Sequence, residues 1–283
     1  MAAGGAAHGG AEQEAANTAD PHAELHAAIH AAWTNHRAHC EAALALPPQT
    51  NEVQRSAALL PGLLHIAHHG GLPIVLLEIG ASAGLNLWCD RYRYQTASWA
   101  WGEAQAPLVL ASQWQGPSPP LGAELRIARR AGCDANPIDL QQPGEALRLA
   151  SFVWPDQPER LARLHNACAA AKGWARAEGK AVEPLGASQF VARELGSLKP
   201  GHTTVLMHSI VWQYMAADEQ LAVQRAIEDA GRRASHDSPL AWLRFEPPRP
   251  DARSELRCCL WPGGEDRLLA HCHPHGATIE WLG

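Results

Sequence analysis

The chain has 283 residues, of which 46% are hydrophobic and 18% are charged, so it can bury one large core or two modest ones. Its net charge of −6 is mild and paired arginines occur only at 129–130 and 232–233, which argues against a nucleic-acid partner. The sequence has no run of about eighteen apolar residues and no leader-like N-terminus, so we expect a cytoplasmic protein without a membrane partner.

The first quarter of the chain predicts a polar tail followed by helices. Residues 1–20 are Ala, Gly and polar residues with little apolar surface, which predicts a disordered tail. Residues 21–72 predict a helical segment: one helix from Pro21 that ends before Pro47-Pro48, and a second from Thr50 or Asn51 to Gly70-Gly71. We expect Pro61 to kink or split the second helix.

Residues 73–283 predict an α/β domain. The run IVLLEI over 74–79 is continuously apolar, as in a parallel strand that is covered on both faces. The loop GASAG and LNLWCD, which reads as the first turns of a helix, come next. A Trp-rich insertion near 91–124 follows, in which only YRYQT and PLVLASQW look extended. The strand IVLLEI, the turn GASAG and the predicted helix LNLWCD together form the opening of a doubly wound unit.

Strands and helices then alternate towards the C-terminus. The predicted elements are the strand LRIARR leading to Asp134, a helix over 155–172, the short strand AVEPLGAS, the helix FVARELGSL, the strand TTVLMHSIVW, a helix over 218–233, the strand PLAWLRF and the closing strands LRCCLW, RLLAHC and TIEWL. Three successive strands without helices predict an antiparallel end to the sheet. The predicted fold class is α/β, a Rossmann-like doubly wound sheet with an N-terminal helical segment.

The segment Glu78 to Gly84 is the candidate for a ligand-binding loop. Glycines at 80 and 84 let the backbone turn sharply and approach a ligand, and the predicted helix that follows directs free amides towards it. Such a place favours a carboxylate or a phosphate. A tight turn with a purely structural role is the alternative.

With its surroundings, this segment resembles the first motif of S-adenosylmethionine-dependent methyltransferases, acid-x-Gly-x-Gly-x-Gly, with Ser82 at the middle glycine. The resemblance implies a class I methyltransferase-like fold, S-adenosylmethionine as cofactor, and an acid after the second strand that bonds the ribose hydroxyls. Asp134 in GCDANPIDL matches that acid, although the insertion carries it beyond the usual interval of about twenty residues. If the insertion contains the second strand, this assignment fails. The implied cofactor residues are Glu78, Gly80, Ala81, Ser82, Gly84, Asn86, Asp134 and Ser209.

A second resemblance covers nearly the whole chain from about Thr50. The strings QTNEVQRSAALLPGLL, LLEIGASAGLNL, DRYRY, GCDANPIDL, SFVWPDQPER, HSIVWQY and PHG followed by EWL are similar to those of an uncharacterised bacterial family, domain-of-unknown-function family 2332. This resemblance implies membership of the family and no particular activity.

The catalytic candidates follow the fourth and fifth predicted strands of the sheet. His208 lies at the strand end where methyltransferase-like folds face cofactor and substrate, Tyr214 follows it, and Glu246 is a possible base. The structural alternatives are a backbone-bonded His208 and a solvated Glu246. The predicted partner is a small-molecule substrate, apolar or planar if the tryptophans of the insertion contact it rather than one another.

Two other functions stay open. Residues 80–84 also match the Gly-x-Ser-x-Gly elbow of α/β-hydrolases, with Ser82 as nucleophile and His275 later in the chain. That elbow normally follows several strands, whereas everything before Ile74 reads as helix. A non-catalytic cofactor-binding or sensor module is the other alternative, because HSIVWQY replaces a recognised substrate motif.

The seven cysteines and the C-terminal histidines predict no metal site. The cysteines are odd in number and never spaced CxxC, so reduced thiols are expected. His271 and His273 would share one face of a strand, but their spacing is not that of a recognised ligand pair.

Overall fold

The structure is a computed structural model that describes residues 21–44, 49–179, 181–249 and 251–283. The predicted tail 1–20 and the predicted stop at Pro47 lie outside the described residues. The chain divides into two compact units, one that ends at Pro48 and one from Gln49 to Gly283. None of the helices in the described ranges has the length and apolarity needed to cross a bilayer.

The first unit is helical where it is described, as the sequence predicts. Helix α1 (Pro21–Asn35) and helix α2 (Arg37–Leu44) are separated at His36. The apolar positions of α1 follow helical spacing, but Leu25 and Ile29 are both more than half exposed.

The second unit begins with polar residues and a helix. A 3-10 helix over Val53–Arg55 leads into helix α3 (Ser56–Gly70), which ends where Gly71 takes the left-handed conformation. The expectation that Pro61 splits this helix was wrong: α3 is continuous through Pro61. Every residue from 56 to 67 is buried, and the free energy gained by this burial offsets the loss of the backbone hydrogen bond that proline cannot make. Helix α3 therefore packs within the α/β unit, although the sequence analysis grouped it with the preceding helices.

The remaining elements confirm the predicted alternation of strands and helices. The strands are β1 (Ile74–Ile79), β2 (Arg93–Gln95), β3 (Ala100–Trp101), β4 (Val109–Ala111), β5 (Gln113–Gln115), β6 (Ile127–Asp134), β7 (Val182–Pro184), β8 (Thr203–Ser209), β9 (Leu240–Glu246), β10 (Ser254–Trp261), β11 (Glu265–Cys272) and β12 (Thr278–Trp281). The helices are α4 (Glu145–Ala150), α5 (Pro158–Glu178), α6 (Ala187–Glu194) and α7 (Ala217–Arg233). Helix α5 begins three residues later than predicted and extends further.

Nine of the described strands form one mixed, mostly parallel sheet in the order β5-β12-β11-β10-β9-β8-β1-β6-β7. Five adjacent strands, β7, β6, β1, β8 and β9, are parallel to one another. Strands β9, β10, β11 and β12 pair antiparallel, which confirms the predicted antiparallel end.

Helices cover both faces of this sheet because its central strands are apolar on both sides. All six residues of β1 are buried. Ile74 and Leu76 belong to the core cluster formed with α3 and α5, whereas Val75 and Leu77 belong to the cluster formed with α6 and α7. A continuous apolar run is therefore required, as the sequence pattern indicated.

The insertion packs its aromatic side chains against one another. Strands β3, β2 and β4 form a separate small sheet, and β5 joins the edge of the main sheet beside β12. The rings of Trp99 and Trp114 lie edge to face with centroids 4.9 Å apart, and Trp114 stacks on Trp281 at 5.8 Å. The tryptophans thus pack in the core of the insertion, which is the second of the two roles that the sequence left open for them.

The α-helix predicted after the glycine loop was wrong: residues Leu85–Arg91 form a 3-10 helix with a non-helical Trp88. Two tyrosines explain the difference. The Tyr92 hydroxyl donates to the Leu85 carbonyl at 2.7 Å, and the Tyr94 hydroxyl donates to the Cys89 carbonyl at 2.6 Å. Carbonyls that an α-helix would use are therefore bonded to side chains.

Candidate functional site

The glycine loop lies at the carboxyl end of β1 and is a tight turn. Gly80 and Ser82 have φ values of +66° and +52°, and the Gly84 amide donates to the Ala81 carbonyl at 2.7 Å. A Cβ on Gly80 would lie 2.3 Å from Val211 Cγ2. The need for glycine at position 80 is therefore explained by Val211, a residue of this chain, as well as by the backbone conformation.

Asp134 contacts this loop directly. It ends β6, the strand that pairs with β1 on the side away from β8, so the strand beside β1 does not come from the insertion and the predicted place of Asp134 at the end of that strand is confirmed. Asp134 Oδ2 accepts a hydrogen bond from the Ser82 amide at 2.9 Å, and Oδ1 accepts from the Asn136 amide at 2.8 Å. Oδ1 also accepts from the Gln49 side chain at 3.1 Å.

Glu78 is a buried acid beneath the loop. Its side chain is 1% exposed, and its Oε2 has no hydrogen-bond partner among the described residues. Burial raises the pKa of Glu78 from 4.5 to about 8, against the opposing effect of a hydrogen bond with Asn86. The carboxyl group is therefore mostly neutral at pH 7.

A cavity of about 230 Å³ adjoins the loop. Ala83 lines it from the loop, Ile138 and Leu140 from the segment after β6, and Val182 from β7. These side chains are apolar, and Asp139 and Gln141 add polar groups to the lining. Several residues that line the cavity follow Asp134 closely in the sequence. The cavity is lined by residues at or after the ends of β6 and β7, the two strands next to β1 on this side of the sheet.

The sequence analysis missed the polar segment Gln49–Ser56, which covers the same edge of the sheet. Asn51 Oδ1 accepts from the Leu85 amide at 3.1 Å. Arg55, which is buried, donates through Nη1 to the Ser209 carbonyl and through Nε to the Pro274 carbonyl, each at 3.1 Å. The signal was present in QTNEVQRS, a polar run ahead of an apolar helix, but we interpreted it as a helix start and as a family motif, without a role in the site.

His208 is buried within a hydrogen-bonded group of side chains. Trp242 Nε1 can only donate, so His208 Nε2 accepts its bond at 3.1 Å and the ring proton lies on Nδ1, which donates to Glu246 Oε1 at 2.6 Å. The ring also stacks on Trp212 with centroids 5.3 Å apart. These contacts explain a buried histidine without a catalytic role.

The other catalytic candidates differ in their surroundings. Glu246 also accepts from the Val211 amide at 3.0 Å, and it borders a cavity of about 280 Å³ together with His208. Tyr214 is 76% exposed. Catalytic roles for His208, Tyr214 and Glu246 remain predictions.

The hydrolase interpretation finds little support in the surroundings of Ser82. The residue is 5% exposed, and its Oγ makes no hydrogen bond within the described part of the chain, so no histidine activates it in this arrangement. His275 instead borders a large cavity with Glu52 and Arg160. Ser209, the remaining cofactor candidate, is buried and its carbonyl accepts from Arg55.

The C-terminal cysteines and histidines do not form a metal-binding group. Burial raises the pKa of Cys258 and of Cys272 to about 12, which keeps both thiols protonated and poor ligands at neutral pH. Across residues 21–44, 49–179, 181–249 and 251–283, no three His, Cys, Asp or Glu side chains lie together as metal ligands.

Comparison with known proteins identifies the family. A family model described as "Uncharacterized protein conserved in bacteria (DUF2332)" matches residues 8–281, so the chain belongs to this family. No curated protein and no solved structure matches the chain.

Proposed function

We propose that this member of the bacterial family binds S-adenosylmethionine, or the product left after methyl transfer, at the carboxyl edge of β1 and β6, and that it methylates a small molecule. The observation that carries the proposal is the position of Asp134. This acid follows the strand beside β1, bonds the glycine loop and lies next in the chain to residues that line an apolar cavity.

The order of the parallel strands supports a Rossmann-like arrangement. Numbered along the chain, the parallel strands β1, β6, β7, β8 and β9 lie in the spatial order 3-2-1-4-5. This is the order of doubly wound dinucleotide-binding sheets, whose ligands bind beyond the carboxyl ends of the strands where the order reverses. Here the reversal lies between β1 and β8, the strands that lead into the glycine loop and Ser209.

The side chains at this edge suit the chemical groups of an adenosyl ligand. The Asp134 carboxylate is an acceptor for ribose hydroxyls, and the mostly apolar cavity of 230 Å³, whose lining also includes Asp139 and Gln141, suits a planar base with polar edges. Buried Glu78 Oε2 is without a partner, but the carboxyl is mostly protonated at pH 7, so it suits a neutral polar group of the ligand and not the ammonium group. Val211 occupies the space above Gly80, so Gly80 itself gives no support for a ligand.

Binding would change contacts that the chain now makes to itself. Gln49 donates to Asp134 Oδ1, and a ribose hydroxyl at that oxygen would replace the amide. The bound cofactor would supply an electrophilic methyl group. The residues of the chain would hold and orient the reactants, with a base needed only for an acceptor that must lose a proton.

Titration calorimetry with S-adenosylmethionine and with S-adenosylhomocysteine tests the proposal. We expect binding by the wild type, weakened about tenfold or more in Asp134→Ala because a charged acceptor for the ribose is lost. Asp237→Ala, which removes an exposed acid elsewhere, is the control and should bind normally.

Two outcomes would contradict parts of the proposal. If neither ligand binds at millimolar concentration, the adenosyl site does not exist. If both bind but methyl transfer to small-molecule acceptors is never detected, the sensor interpretation is favoured. Covalent labelling of Ser82 by a fluorophosphonate would instead establish the hydrolase.

A further inference from the structure

A cavity of about 890 Å³ opens at the same edge of the sheet as the glycine loop. Its lining includes His273 and His275, which follow β11. Because β10 is antiparallel to both β9 and β11, strand β11 ends at the same edge as β9, β8 and β1. The other walls come from the first turns of α5, the polar segment near Glu52 and the insertion.

We infer that this cavity binds a small anionic molecule, a carboxylate or a phosphate ester, through the guanidinium group of Arg163. A volume of this size is typical of small-molecule sites. The inference does not depend on the proposed adenosyl ligand, which is assigned to other residues.

Arg163 lines the cavity without a partner of its own. Its Nε atom is buried, yet the described residues offer it neither a hydrogen bond nor an ion pair. A buried donor without an acceptor is costly, and a guanidinium pairs most strongly with a carboxylate or a phosphate. Glu159 precedes Arg163 by four residues on α5, the spacing of helical ion pairs, but the two side chains do not pair.

The neighbouring arginine shows the contrast. Arg160 forms an ion pair with buried Glu52 and donates through Nη1 to Gln157 Oε1 at 2.9 Å. The charges of Arg160 and Glu52 are therefore already balanced. The cavity lining also includes the acids Asp156 and Glu159, which are exposed to solvent, whereas Arg163 is partly buried and has no ion pair among the described residues. The guanidinium of Arg163 is therefore the point in this wall where an anion is favoured.

His275 adds a polar group that can change its role with the ligand. Neither ring nitrogen makes a hydrogen bond within the described residues, and the residue is only partly exposed. Burial, together with the nearby positive charge of Arg160, lowers the pKa of His275. The neutral ring carries one donor and one acceptor, which suits a ligand that has a hydroxyl group as well as an anionic group.

The experiment measures binding of two anions, inorganic phosphate and succinate, by titration calorimetry and ligand-observed NMR in a chloride buffer. We expect the wild type to bind at least one of them, and Arg163→Gln to bind it about tenfold more weakly or worse. Preference for one probe separates a phosphate site from a carboxylate site. Arg225→Gln removes an exposed arginine from α7, on the other face of the sheet, and should leave binding unchanged.

Thermal unfolding of Arg163→Gln serves as the check on folding, and we expect a midpoint at or above that of the wild type because the unpaired charge is removed. The inference is overturned if neither anion binds at tens of millimolar, or if Arg163→Gln binds the anion as tightly as the wild type does. Failure of the adenosyl titration leaves this result unaffected, since neither probe contains an adenosyl group.

Discussion

Replacing Glu78 by glutamine should stabilise the protein increasingly as the pH rises from about 5 to 8. The ordinary pKa of a glutamate is 4.5, whereas burial raises the pKa of Glu78 in the folded chain to about 8. Between these values the folded chain holds a proton that the unfolded chain has released, so the free energy of unfolding falls as the pH rises. Outside this window, the contribution of Glu78 no longer changes with pH.

The size of the effect follows from the two pKa values. One pKa unit corresponds to about 1.4 kcal/mol, so the penalty is about 3 kcal/mol at pH 7 and about 5 kcal/mol above pH 8. Glutamine is uncharged at every pH and nearly the same shape. The variant should therefore match the wild type near pH 4.5 and exceed it by these amounts at higher pH.

Urea unfolding of wild type and Glu78→Gln at about pH 5, 6, 7 and 8 measures the difference. Taking the difference removes the titration of all groups that the two proteins share. Glu103→Gln, at an exposed acid, is the control and should show no trend. A Glu78→Gln difference that stays constant with pH would refute the claim that this carboxyl is held neutral in the fold.

The remaining predictions concern the loop and the histidine. Gly80→Ala should lower the free energy of unfolding by about 3 kcal/mol, because the residue has a positive φ and the new Cβ would collide with Val211. Gly201→Ala is the control: Gly201 has a φ of +70° but lies in open space, so this change should cost only about 1 kcal/mol. Equal losses of stability in urea unfolding would show that Val211 does not contribute. His208→Ala should lower the free energy of unfolding by about 3 kcal/mol, because it leaves a cavity and removes the hydrogen-bond partner of both Trp242 and Glu246. A loss below about 1 kcal/mol in urea unfolding would contradict this account.

The strands were predictable because their signals are local. The apolar run at 74–79 must be covered on both faces, and successive apolar runs without helical periodicity at the C-terminus must pair antiparallel. The position of Asp134 also followed, since LRIARR was recognised as the strand that leads to it.

Hydrogen bonds from side chains to backbone carbonyls, some between near neighbours and some long-range, determined what was not predictable. Leu85–Arg91 has a composition that an α-helix accepts, but Tyr92 and Tyr94, from the insertion, bond two of its carbonyls. Likewise, Arg55 is an ordinary helix residue in sequence and is buried because carbonyls of Ser209 and Pro274 accept its bonds. Local propensity contains neither fact.

The glycine at position 80 shows why a loop motif cannot by itself identify a cofactor site. A ligand that approaches the backbone and a valine that packs on it exclude the same Cβ, so both require the same residue. A variant at Gly80 would therefore damage the fold and any cofactor site alike. Asp134 separates the two cases, because the amide of Gln49 that bonds one of its oxygens is a side chain that a ribose hydroxyl can replace. The adenosyl proposal thus depends on Asp134. Because Asp134 also accepts bonds from the amides of Ser82 and Asn136, Asp134→Ala should lose some stability. A loss of binding by an Asp134→Ala protein that is still folded at the temperature of the titration is the result that would distinguish a ligand contact from a purely structural one.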